Sequence, residues 1–515
     1  MSRCGLKSSV LGVSMLISCL SANVMANDYQ AYDLETFLRD FHNDPKLVMD
    51  KLPPKTESLD AAALSNPFAF SKENKTIVEA KDSVRRRFCS EVDGSKVCLD
   101  NPQGRAAALA NDLAENLADN GTKLIRSLQE IEAKNLLNAR VSTQPWSDDY
   151  WAIAKGILGA RYADPANKVN TIDWKEALGY IEENPSSNYV ESNKANFLSP
   201  SEKYDLLVGD KNMTLTQAMW AEGKHYYDAN GSVEPWMGIC HGWSPAAFML
   251  PRPRNAVKTV TPDGTELLFY PADMKALGSL LWAKNDTPSK FIGGRCNKKN
   301  PKKDANGRIL DQECFDNNPM SWHLGIVNQI GVSDRSFVMD ATYDYEVWNQ
   351  PVVGYQYRYF NVNTFDTAQT SQDATVALSD YQSDKFKTYR SPKAKSVVGV
   401  EMRVYYSVET QPRPRMEDNE RYDAVTTATY RYDLEMDENG KLLGGEWYSN
   451  AHPDFMWTPE KDAKARSAAD RYATGTWTWG NAVPARWQEV APYASKAGIP
   501  LAKVVEDLLK QANKQ

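Results

Sequence analysis

Trp236-Met-Gly-Ile-Cys240-His-Gly-Trp-Ser-Pro-Ala-Ala247 is the stretch on which the reading of this 515-residue chain turns. Up to it, from about Met213, the pattern is helical. After it come short apolar segments, TELLFYP, MSWHLGIVNQIG, SFVMDATYDYEVWNQPV, YQYRYFNV and VVGVEMRVYYSV, which read as strands with turns between them. Helices followed by strands is the order of an α+β domain. The residues AAFML after Cys240 place it near a helix start, and Pro245 suggests that the helix begins at Gly242 to Ser244.

Working outward, the compartment decides what the cysteines mean. Met1 to Ala26 carries Arg3 and Lys7, an apolar run from Val10 to Leu20, and small residues ending at Ala26, the layout of an export signal too short to remain as a membrane span. Cleavage after Ala26 is the preferred reading. Leu16-Ile17-Ser18-Cys19 also fits a lipobox, so a lipid anchor through Cys19 is the alternative. Either route puts the protein in the periplasm or outside the cell. There, Cys89 with Cys98 and Cys296 with Cys314 are expected to close small loops as disulfides. Cys240 is left over, a free thiol in an exported protein.

A free thiol with a use needs a base, and the chain has five histidines from which to choose one. His323 begins an apolar, strand-like segment and Asp340 lies on the next one, beyond the turn Val332-Ser333-Asp334-Arg335. Neighbouring antiparallel strands would set an imidazole and a carboxylate side by side, as an orienting pair requires. Cys240, His323 and Asp340 are thus the candidate nucleophile, base and orienting acid. Trp236, Trp243, Trp322 and Trp348 flank those three segments and could wall a site from water or line the oxyanion.

The remainder bounds the organisation. No later segment is apolar and long enough for a membrane helix, and removing Arg3 and Lys7 takes the formal charge from −7 to −9, which argues against a nucleic-acid partner. Residues 27–210 read as mostly helical: Leu109, Leu113 and Leu117, then Leu124 to Leu136, suggest two amphipathic helices, with more at Tyr150 onward, at WKEALGYIEE capped by Asp173, and at SEKYDLL. This region carries no catalytic pattern and contains Arg85-Arg86-Arg87, so it is a candidate pro-segment. Residues 211–410 form the catalytic core, and Gln411-Pro-Arg-Pro-Arg415 reads as a joint. Residues 411–515 supply a hairpin around Asn439-Gly440 and a final helix, LAKVVEDLLKQ. Within that hairpin Glu435, Asp437, Asn439 and Glu446 approximate a calcium loop, the minor reading beside a plain hairpin. The chemistry itself requires no cofactor.

The segments GICHGWSPAA, SWHLGIVNQIG, FVMDATYDYEVWNQPVVGY and GGEWYSNAHPDFMW, spanning roughly Gly231 to Pro459, together resemble the transglutaminase-elicitor proteins. These are secreted by plant-pathogenic oomycetes and have relatives in marine bacteria. The resemblance implies a papain-like transglutaminase core with a Cys-His-Asp triad at Cys240, His323 and Asp340. It implies a thioester between Cys240 and a glutamine side chain, transfer to a lysine or polyamine, and release of ammonia. The backbone N–H of Cys240 is the expected oxyanion donor. Triad geometry does not fix the acyl acceptor, so a secreted cysteine peptidase or glutamine deamidase is the alternative.

Overall fold

The structure, a computed structural model, describes residues 33–53, 55–56, 89–92, 95–98, 112–169, 172–285, 287–294, 296, 298, 300–342 and 347–514. The export signal, Cys19 and Arg85-Arg86-Arg87 lie outside them. Cys89 and Cys98 face each other in register in a two-stranded ladder, but their side chains, and so their disulfide, are outside the described residues. Cys296 and Cys314 are bonded as expected.

Local capping fixes several helices where the sequence puts them. Asp173 accepts the Glu176 N–H and starts α1 (Trp174–Glu183); Ser199 and Glu202 cap each other's backbone at the start of α2 (Pro200–Leu207). Next come α3 (Thr214–Asn230), α4 (Cys240–Met249), α5 (Pro271–Ala283), α6 (Pro319–Ile326), α7 (Ala485–Lys496) and α8 (Ala502–Ala512). Elsewhere the helical expectation fails. Tyr150 onward folds as two 3-10 turns, because Trp151, Gly156 and Ile157 take positive φ. Residues 114–140 hold two 3-10 turns, a short helix at Leu128–Ala133 and a strand at Asn138–Arg140.

One hydrophobic core joins Trp151 and Leu207 from the N-terminal region, Trp243 and Leu277 of α4 and α5, and Trp487 and Leu508 of the two C-terminal helices. Gln411 to Arg415 lies on the connection between two strands that pair with each other.

Those strands belong to an 11-stranded sheet. Its central run is β1 (Ser289–Gly293), β2 (Val338–Asp340), β3 (Asn349–Phe360), β4 (Ser396–Val408), β5 (Ala424–Met436) and β6 (Phe455–Pro459), in the order β1-β6-β2-β3-β4-β5, all antiparallel. The hairpin forms as read, with β5 returning through Gly440 at φ +74° to Leu442–Gly444.

Alternation gives the sheet two distinct faces. Val338, Val347, Phe455 and Trp457 point toward Phe248 of α4, whereas Met339, Val352 and Met456 point to the other side, where Trp322 of α6 packs. A bulge skips Val353 in the β3–β4 register, so beyond it the odd residues Tyr355, Tyr357 and Tyr359 turn to the α6 side. Asn349, before the bulge, faces α4.

Candidate active site

Helix α4 starts at Cys240 itself, ahead of the expected Gly242 to Ser244. Ile239, with non-helical backbone, is its cap: its carbonyl receives the N–H groups of Gly242 and Trp243, and its own N–H donates to the Tyr150 carbonyl at 2.7 Å. The Ser244 hydroxyl bridges the carbonyls of Cys240 and Asn349, tying the helix to the first residue of β3. Gly242 is demanded by packing, since a Cβ there would lie 2.2 Å from the Ser279 carbonyl and 2.4 Å from Ala283 of α5. Gly238 is required likewise beneath Tyr150.

The thiol is fully buried and unbonded to another cysteine. The Asn349 side-chain amide lies 3.8 Å from Sγ, and Trp457 Nε1 donates to the other end of that amide at 2.8 Å. Across the β2–β3 ladder Asn349 pairs with Asp340. One oxygen of Asp340 accepts the Trp348 N–H at 2.8 Å and both donors of Thr342. Glu409, just past β4, accepts Trp348 Nε1 and Gln350 Nε2 on its Oε1, each at 2.8 Å; Gln350 pairs with Met339 and so faces the α6 side. Burial pushes the Cys240 thiol up to about 12, with Glu409 and Asp340 adding to the rise against the two Asn349 amides. Burial likewise raises Glu409 to about 7 and, in the strap that crosses the cap of α4, Asp148 to about 7 and Asp149 to about 6.

His323 is not among these groups. The run SWHLGIVNQIG is α6 followed by a π-helical turn at Val327–Val332, not a strand, with Asn318 capping the Met320 N–H and Pro319 in the first turn. An apolar run buried all round has no useful periodicity, which is why it reads as a strand. The sheet therefore stands between the His323 ring and α4. The ring packs edge-on against Tyr357 at 4.7 Å, and its Nδ1 lies 2.9 Å from the Tyr432 hydroxyl. Tyr357 is eight residues along β3 from Asn349, about 26 Å at the usual rise. Burial alone lowers His323, to about 3; neither Cys240 nor Asp340 contributes. His241 turns to the Ala283 carbonyl at the end of α5, and His452 stacks on Trp447 on the α6 side.

Of the tryptophans, Trp348 touches both acids of the site and the half-buried Trp236 packs beside Trp457. Trp243 donates to the Trp146 carbonyl inside the helical core, and Trp322 packs among Tyr430 and Trp447. The residues suggested for calcium are held otherwise: Arg390 and the Ser391 N–H take Glu435, Arg308 clasps Glu446 with two 2.8 Å bonds, and Asp437 closes the turn onto Asn439 and Lys441. Among the described residues no cluster of His, Cys, Asp or Glu is arranged to hold a metal ion.

The transglutaminase elicitor family matches residues 113–472, well over half the chain. The chain belongs to that family. Its match begins far upstream of the Gly231 to Pro459 resemblance and takes in the strap over Cys240. A solved structure, the GP42 transglutaminase from Phytophthora sojae, is similar at 22% identity and a TM-score of 0.47, covering 76% of this chain and 99% of that one. No curated protein matches. Of the residues named from the sequence, Cys240 and Asp340 come together here; Asn349 and Trp457, which meet them, were not named. Asn349 stood in the quoted VWNQP motif. Glu409, one residue beyond the strand VVGVEMRVYYSV, gave no signal.

Proposed function

We propose that the protein is a secreted transglutaminase in a resting state, with Cys240 as nucleophile. Family membership across residues 113–472, with the unpaired Cys240 at a helix start against Asp340 and Asn349, carries this reading. No described helix is long and apolar enough to cross a membrane.

In the reaction Cys240 Sγ bonds to the carboxamide carbon of a glutamine side chain, and the amide nitrogen leaves as ammonia carrying the thiol proton. Asp340, paired across the β2–β3 ladder with the Asn349 whose amide reaches the sulfur, is the group that passes that proton. The N–H of Cys240, in the first turn of α4, supports the tetrahedral oxyanion together with the Asn349 amide. An amine then displaces sulfur. Opening of the Trp146 to Ile153 strap precedes turnover, because the thiol is sealed beneath it.

The test is incorporation of a fluorescent primary amine into a glutamine-rich protein. Wild type should label it with release of ammonia and Cys240→Ala should not. Release of ammonia without any amine incorporation would favour the deamidase instead.

A further inference from the structure

The face of the sheet that carries Asn349 continues into an apolar surface to which the mechanism assigns nothing. Strand register sets its side chains in a row: Phe291 of β1 pairs with Trp457 of β6, Trp457 with Val338 of β2, and Val338 with Pro351 of β3. Asp340 with Asn349 is the next row on the same face, two residues along. Helix α4 matches it at four-residue spacing: Cys240 meets the Asn349 amide, Ser244 donates to the Asn349 carbonyl, and Phe248 packs against Val338, Phe455 and Trp457. Trp457 joins the two rows, since its Nε1 holds the Asn349 amide while its ring belongs to the apolar cluster. Against that cluster lie Trp236, Phe248 and Phe291, each only half-buried, and the Phe291 and Phe455 rings are 5.3 Å apart. Partly exposed aromatic side chains gathered beside a nucleophile form a contact surface.

Resting on the transglutaminase reading, we infer that Trp236, Phe248 and Phe291 form an acyl-donor subsite, which selects glutamines that have an aromatic or large aliphatic residue two positions away. Phe291 stands three strand spacings and one pleat repeat from Asn349, about 16 Å. An extended donor chain advances about 7 Å in two residues, and the glutamine and the apolar side chain reach across the remainder. The acceptor amine is a poorer occupant. Arg335 already lies over the Phe248 ring at 5.6 Å, so a cation there meets a like charge, whereas an uncharged apolar side chain does not. Covering the surface also removes water from beside the thioester, where amine must compete with hydrolysis. No bond changes in this step; the three aromatic residues bind and position the donor.

The experiment follows ammonia release by the intact protein, with methylamine as acceptor, from two donor peptides: acetyl-Phe-Gly-Gln-Gly-Phe amide and its counterpart with serine in place of both phenylalanines. Wild type should use the phenylalanine peptide with a kcat/KM at least ~30-fold above that of the serine peptide. Phe291→Ala should cut that ratio below ~5, mainly through the KM of the phenylalanine peptide, and Phe291→Leu, which keeps an apolar side chain, should retain most of it. Phe248→Ala should lower the ratio as well. A ratio unmoved by both alanine variants would overturn the subsite while leaving the thioester chemistry standing. Equal use of the two peptides by wild type overturns it without any variant having to fold. If wild type releases ammonia from neither peptide nor from a glutamine-rich protein, the transglutaminase reading falls and takes the subsite with it.

Discussion

Reaction of Cys240 with iodoacetamide measures how closed the site is, because burial acts on the thiol through both ionisation and access. An ordinary thiol of pKa ~8.5 is about a tenth ionised at pH 7.5, whereas one pushed up to about 12 is ionised in roughly three molecules in 100,000. Ionisation alone therefore slows alkylation about 3,000-fold, and complete burial slows it further. Tyr150→Ala perturbs the cover, because the Tyr150 ring rests on Gly238 and its hydroxyl holds the Pro235 carbonyl at 3.1 Å. That variant should be alkylated at least ~10-fold faster than wild type at pH 7.5. In both proteins the rate should still climb about tenfold per pH unit between pH 8 and 10. Peptide mass spectrometry after timed quenching gives the rate at Cys240 itself. Full labelling of native wild type at the pace of a free thiol, with a midpoint near neutrality, would refute both the sealed site and the raised thiol.

Three other substitutions separate the roles assigned above. Asp340→Asn should cut amine incorporation by ~100-fold or more, while His323→Phe, on the far side of the sheet, should keep kcat within about threefold at a lowered melting temperature; the reverse ranking restores the histidine as base. Glu446→Ala strands the buried Arg308 guanidinium, at a cost of about 3–5 kcal/mol, and the melting temperature should fall by ~3–5 °C; a change under about 1 °C would mean that the pair is idle. Asp205 is raised by burial to about 7, so between its ordinary ~3.9 and 7 the folded chain holds a proton that the unfolded chain has lost, and stability falls as pH rises through that window. Asp205→Asn should shrink the wild-type drop in urea midpoint between pH 4.5 and 7.5, and an unchanged drop would place the titration elsewhere.

How much of the site was legible follows from what each residue needs. Cys240 was found by elimination, since Cys296 and Cys314 pair as sequence neighbours in an oxidising compartment should. The helices at Trp174 and Pro200 were legible because Asp173, Ser199 and Glu202 cap through contacts three residues apart. His323 was misread for the opposite reason. Its segment is apolar on every side, so neither its helix nor its side of the sheet is written in a local period. The partners of Glu435 and Glu446 were not legible, because Arg390 and Arg308, which hold them, are distant in sequence.

The sequence by itself determined the free thiol, the family and the α+β order, all of which rest on residue type and near neighbours. Only the tertiary structure decided which groups meet the sulfur. A single skipped residue, Val353, turns β3 over, so Asn349 faces the nucleophile while Tyr357 and its histidine face away. Trp457 arrives from β6, 217 residues beyond Cys240, to hold that Asn349 amide. Such meetings are set by strand register and by which face of a sheet is buried against what, and neither quantity is a property of any short stretch of chain.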